Sequence, residues 1–129
     1  MKGQKIETLS EKEEKLIDVL MRLDLLMRST AKTLVYLLAK KTATSVDIER
    51  AMGLRQPEVS IAAKQLRVLG ILSKQDIKQK GKGRPTHRYS LKKSPTEIKS
   101  IITGKAQEEL KKIVDDLKTL DTLMAEMEK

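Results

Sequence analysis

Between Thr44 and Gly70 the chain is punctuated so closely that few backbone paths fit it. Thr44 and Asp47 have the spacing of a capping box, in which each side chain satisfies the other residue's free amide. Val46, Ile48, Ala51 and Met52 follow as a short helix, and Gly53 is placed to end it, because glycine takes the left-handed cap conformation without steric cost. Leu54 turns inward and Arg55-Gln56 makes a tight turn. Pro57 then stands in a first helical turn, where its missing amide has no partner to lose. Val59, Ala62, Ala63, Leu66 and Leu69 give the next helix, 57–69, a buried face, and Gly70 closes it. The spacing therefore predicts two short helices joined by a tight turn, the second backed by alanines.

The flanks read as more helix and one hairpin. Ser10 and Glu13 form another capping-box pair ahead of an apolar stripe, Leu16, Ile17, Leu20, Leu23 and Met27, widened by Val19, Met21, Leu25 and Leu26. A helix apolar over so wide an arc is expected to be buried on more than one side. Ser29 and Thr30 are expected to break it, Lys32 to Lys41 to form a second helix, and Thr42–Thr44 to be a short connection. Ile71–Lys78 and Thr86–Leu91 read as strands around Gln79-Lys80-Gly81-Lys82-Gly83-Arg84-Pro85, a hairpin tip by its glycines and proline. In the second strand His87, Tyr89 and Leu91 share one face, Arg88 and Ser90 the other. Ser94-Pro95-Thr96-Glu97 starts a last helix, with Gly104 as a candidate interruption. Beyond it Leu110, Ile113, Leu117, Leu120, Met124 and Met127 step by three and four, a heptad seam too short to stand alone.

Charge is uneven along the 129 residues. The net charge is +9, and residues 45–93 carry twelve Lys/Arg against four Asp/Glu, whereas residues 94–129 carry six against eight. From Lys78 to Lys93 there are seven basic residues and no acid. Positive charge so localised points to a polyanion partner. A membrane surface would call for a basic amphipathic helix with bulky aromatics, whereas here the charge lies on a hairpin. Single-stranded nucleic acid is normally gripped by aromatic platforms, and this chain has two tyrosines and no Phe or Trp. Double-stranded DNA is left as the partner. Gln56 is suited to adenine, Glu58 to cytosine, and Lys64 to guanine or phosphate. Arg84 beside Pro85 suits a narrow minor groove.

Other chemistries find little support. Cysteine is absent and there is one histidine, which excludes disulfides, thiolate metal sites and cysteine nucleophiles. No nucleophile–base pair or phosphate loop stands out, and the acid pairs Glu13-Glu14, Glu108-Glu109 and Asp115-Asp116 read as solvated helix faces, so neither an enzyme nor a cofactor is expected. No apolar run approaches the ~20 residues of a membrane span, and Met1–Ser10 lacks a signal peptide's apolar core. A cytoplasmic protein is expected.

The stretch Ser45 to Ser60, with Gln56-Pro57-Glu58-Val59-Ser60 at its end, and Lys64 to Leu72 resemble the winged helix-turn-helix of bacterial and archaeal transcriptional regulators of the ArsR, MarR and TrmB types. Gly81-Lys82-Gly83-Arg84-Pro85 followed by Tyr89-Ser90-Leu91 is similar to that family's wing. The resemblance spans about residues 30–93 and implies a mainly α fold with a small β-hairpin wing. It implies a homodimer on duplex DNA, with helix 57–69 in the major groove and the wing, 79–86, on backbone or minor groove. By that likeness Arg55, Gln56, Glu58, Ser60, Ile61, Lys64 and Gln65 face the major groove. Ser45, Lys80, Lys82, Arg84, His87 and Arg88 form the wing and backbone set, although His87 also suits a packing or hydrogen-bonding role at the base of the wing. The cysteine metal site of ArsR-type sensors is missing, and no residue cluster marks an effector pocket.

The domain plan that follows is an N-terminal helix over 1–28, a winged helix-turn-helix over 29–93, and a C-terminal helix or helices over 94–129. The first and last regions are expected to pack the dimer, with Leu110, Ile113, Leu117, Leu120, Met124 and Met127 as its seam. The rival reading is a winged helix used for protein contact alone, its basic residues serving solubility.

Overall fold

The computed structural model describes residues 10–23, 26–77 and 86–128. Eight elements follow in order: α1 (Glu11–Arg22), α2 (Arg28–Lys40), β1 (Thr42–Thr44), α3 (Ser45–Met52), α4 (Gln56–Val68), β2 (Leu72–Ile77), β3 (Thr86–Leu91) and α5 (Pro95–Met127). The strands form an antiparallel sheet in the order β1-β3-β2. This helix–strand–helix–helix–hairpin order is the winged-helix architecture, mainly α with a small sheet, as the sequence predicts.

Local signals account for most element ends. The capping boxes at Ser10–Glu13, Thr44–Asp47 and Ser94–Glu97 are all formed, each hydroxyl accepting from the third amide and each carboxylate accepting from the cap amide. At the last of these, accepting from the Ser94 amide holds the exposed Glu97 carboxyl below the usual carboxylate range. Gly53 (φ 65°) and Gly70 (φ 78°) both adopt the left-handed conformation at the ends of α3 and α4. At Gly70 the chain turns at once, with the Ile71 amide donating to the Leu66 carbonyl at 3.0 Å, so β2 starts close against α4.

Three expectations are corrected. Ser29 and Thr30 do not break a helix; both lie buried in the first turn of α2, and the break falls before Arg28. Hydroxyl residues carry little penalty in a first turn, whose amides lack helical partners anyway. Thr42–Thr44 is a strand, with Ala43 opposite Tyr89, and the Thr42 hydroxyl donates to the Tyr89 carbonyl at 3.2 Å. Gly104 does not interrupt α5, which runs unbroken for 33 residues. Strong helix formers, Lys105 to Leu110, follow that glycine, and Ile98, Ile101 and Ile102 before it are held against the core, so its ~1 kcal/mol propensity cost is offset.

The core is aliphatic. Leu34, Val35 and Leu37 of α2, Ile48 of α3, Val59 and Leu66 of α4, and Ile71 are almost fully buried, joined by Ile17 and Leu20 from α1 and Ile98 from α5. Burying one such side chain is worth roughly 1.5–3 kcal/mol. Tyr89 is the aromatic within it, and desolvation pushes its phenol above the usual range. Thr30 and Thr33 carry buried hydroxyls that have no hydrogen-bond partner among the described residues. An unpaired buried hydroxyl costs about 1–3 kcal/mol. Thr33→Val, which keeps the shape and removes that group, is expected to raise stability by about 1 kcal/mol in denaturant unfolding. A loss of stability would mean that the hydroxyl is paired.

Candidate nucleic-acid interface

The two faces of α4 differ in the way a presented helix requires. Val59, Ala62, Ala63 and Leu66 are buried, and the two alanines let the helix axis approach α2 closely. Gln56, Ser60, Ile61, Lys64 and Arg67 are exposed on the opposite side, with Ile61 52% exposed. Arg55 caps the helix in an extended conformation and is exposed as well. Five of the seven predicted groove residues, Arg55, Gln56, Ser60, Ile61 and Lys64, thus share one open face.

The other two lie at its margin. Glu58 is half-buried, and its Oε1 accepts the Arg55 amide at 2.8 Å. The acid fixes the start of α4, a local role that accounts for its presence on a face otherwise poor in negative charge. Gln65 is also half-buried and lines a groove of about 370 Å³ between α4 and α5.

Two residues of consequence escape the sequence reading. Arg67 extends the exposed face of α4 by one turn beyond Lys64, and the three- and four-residue steps Ser60, Lys64, Arg67 were the signal for it. Lys32 of α2 donates from Nζ to the Met52 carbonyl at 3.3 Å, placing a cation at the C-terminal end of α3. No local pattern connects residues so far apart.

The hairpin follows α4 after three residues. Its described part reaches the rung Ile77–Thr86. On the preceding rung His87 Nδ1 lies 2.8 Å from Asp76 Oδ1, so His87 is hydrogen-bonded across the hairpin close to where the connection 78–85 begins. Arg88 lies half-buried on β3, its neighbours across the two ladders being Gln75 and Thr44. Ser45 is 8% exposed at the first position of α3. Lys80, Lys82 and Arg84 lie outside the described residues.

No protein-family model matches the chain, and no curated protein matches it. Solved structures do. A possible transcriptional regulator from Methanosarcina mazei Go1 is 18% identical with a TM-score of 0.59, over 90% of this chain and 97% of that one. TrmBL2, an archaeal chromatin protein whose structure shows a novel mode of DNA binding, is 17% identical with a TM-score of 0.61. That match covers 89% of this chain and 41% of the longer TrmBL2 chain. At such identities the likeness establishes the fold: this is a winged-helix protein. No helix among the described residues is long and apolar enough to cross a membrane.

Proposed function

We propose that the chain is a sequence-specific double-stranded DNA-binding transcriptional regulator of the cytoplasm. The observation that carries this reading is the alanine-backed α4, whose open face carries Arg55, Gln56, Ser60, Ile61, Lys64 and Arg67 beside a hairpin with a basic connection. In this reading α4 enters the major groove, where Gln56 and Lys64 meet base edges and Ile61 suits a thymine methyl. Glu58 and Gln65 stand at the edge of the contact. Lys80, Lys82, Arg84 and Arg88 hold backbone or minor groove, and His87 braces the wing through Asp76. Ser45 serves through the first-turn amides of α3, since its hydroxyl side is buried. The DNA binding that TrmBL2 shows on a similar fold supports the reading.

The protein acts as a homodimer in this reading. Leu110, Ile113, Leu117, Leu120, Met124 and Met127 are each 54–80% exposed along α5, a continuous apolar seam left open by the described residues. Residues 29–93 form the DNA-binding unit, and 1–28 and 94–129 build the dimer layer. Pairing at the seam sets two α4 helices against half-sites about one turn of DNA, roughly 34 Å, apart. Selection of bound duplexes from a random pool is expected to enrich a pseudo-palindrome with that spacing. A pool left unenriched, with no duplex retained even at low salt, favours the winged helix as a protein-contact module instead.

A further inference from the structure

We propose that the His87–Asp76 pair is a proton-linked contact for the DNA backbone: His87 takes up a proton as a phosphate settles beside it, so that duplex affinity rises as pH falls through the histidine range. The inference rests on the DNA-binding reading and adds to it a charge that solution conditions set.

The pair joins the one histidine of the chain to the one acid between Gly70 and Lys93. The β2–β3 register sets the two residues directly opposite each other, and Nδ1 and Oδ1 meet at 2.8 Å. His87 shares a face of β3 with Tyr89, their ring centroids 6.2 Å apart. Tyr89 is buried in the core, whereas the side chains of His87 and Asp76 are 32% and 68% exposed. The pair therefore lies where the helix-facing side of the hairpin emerges from the core. Arg67 of α4, Asp76 of β2 and Glu49 of α3 are the charges that act on the Tyr89 phenol. The recognition helix and the hairpin thus flank this spot, and a backbone held between them passes close to His87.

The surrounding charges are fixed where a histidine titrates. Besides Arg67, Glu49 and Asp76, Lys74 stands opposite Tyr89 on β2, and Arg88 points to the other face of β3. Lys78, Lys80, Lys82 and Arg84 follow in the sequence of the connection. Lysine, arginine and carboxylate side chains ordinarily keep one charge between about pH 5.5 and about pH 8, while histidine changes its own. A carboxylate only accepts, so Nδ1–H of His87 donates to Asp76, and the neutral ring presents a bare lone pair at Nε2. A phosphate oxygen, itself an acceptor, then meets an acceptor and a net negative charge. Protonation at Nε2 turns that atom into a donor and cancels the charge of the pair. The complex favours the charged ring, so this contribution is present in full below the histidine range and is lost as pH rises through it.

A backbone contact does not depend on sequence, so a mixed-sequence duplex at fixed ionic strength is the probe. For the full-length chain, affinity is expected to fall about threefold to tenfold per bound chain from about pH 5.5 to about pH 8, one unit of pKa being worth tenfold. His87→Gln, whose amide can still donate to Asp76, is expected to lose this dependence while keeping the terminal amine, which also titrates near this range. Asp76→Asn at about pH 8 is expected to bind as tightly as the unaltered chain at about pH 5.5, since both leave the pair without net charge. The single histidine also gives one imidazole to follow by NMR, and its titration midpoint is expected to move up in the complex. Three results would each overturn the proposal and leave the DNA reading standing: a pH dependence that survives in His87→Gln, an Asp76→Asn chain no tighter than the unaltered one at about pH 8, or a midpoint that DNA leaves unmoved or lowers. No duplex retained at any pH, even at low salt, would overturn both.

Discussion

If α4 reads DNA as proposed, Gln56→Ala and Lys64→Ala are each expected to weaken binding to the preferred duplex by about fivefold to 150-fold, the equivalent of roughly 1–3 kcal/mol per lost base contact. Both side chains are exposed on the first three turns of α4 and point away from the buried Val59, Ala62, Ala63 and Leu66. Their removal therefore leaves the fold alone, and thermal unfolding is expected to be unchanged. Sequence preference shifts at the position each residue reads, while affinity for mixed-sequence DNA falls little for Gln56→Ala and modestly for Lys64→Ala, which also loses a cation. Competition binding against a set of single-base operator variants measures both quantities. Equal losses on every sequence would mean that these residues touch only phosphate, and that α4 is not what reads the DNA.

Leu66→Ala lowers stability by about 2–5 kcal/mol in denaturant unfolding. Leu66 is fully buried and belongs to the cluster that joins α4 to α2 and α3. A chain of this size has only about 5–15 kcal/mol of net stability, so this one truncation removes a large share of it. The loss also reaches function, since Leu66 lies on the reverse of the helix whose outer face would read DNA. A cost below 1 kcal/mol would show that α4 is loosely seated and the alanine-backed packing is not what holds it.

Much of this fold is written in short-range signals. The three capping boxes, the left-handed glycines at 53 and 70, and the alternation that buries Tyr89 between Arg88 and Ser90 are local chemistry, and each is found where residue type and spacing place it. What escapes the sequence is set by distant partners. Thr42–Thr44 is too short to announce a strand, and its ladder is completed by residues more than forty positions later. Ser29 and Thr30 look like a helix break until Leu26, Ala31 and Leu34 are seen to be buried around them. The same holds at the candidate interface. The open face of α4 follows from periodicity, but the capping role of Glu58 and the Lys32 contact at the end of α3 depend on geometry that periodicity does not carry.

The central claim is that α4 and the basic hairpin together grip duplex DNA, and a salt titration of duplex affinity tests it most directly. Each phosphate neutralised by Lys or Arg steepens the fall of log affinity with log salt by about 0.9. With Arg55, Lys64, Arg67 and Arg88 on or beside the face and Lys80, Lys82 and Arg84 on the hairpin connection, the expected slope is steep. Replacing Lys82 and Arg84 by alanine should reduce it by roughly 2. A shallow slope left unmoved by that double substitution would contradict the account.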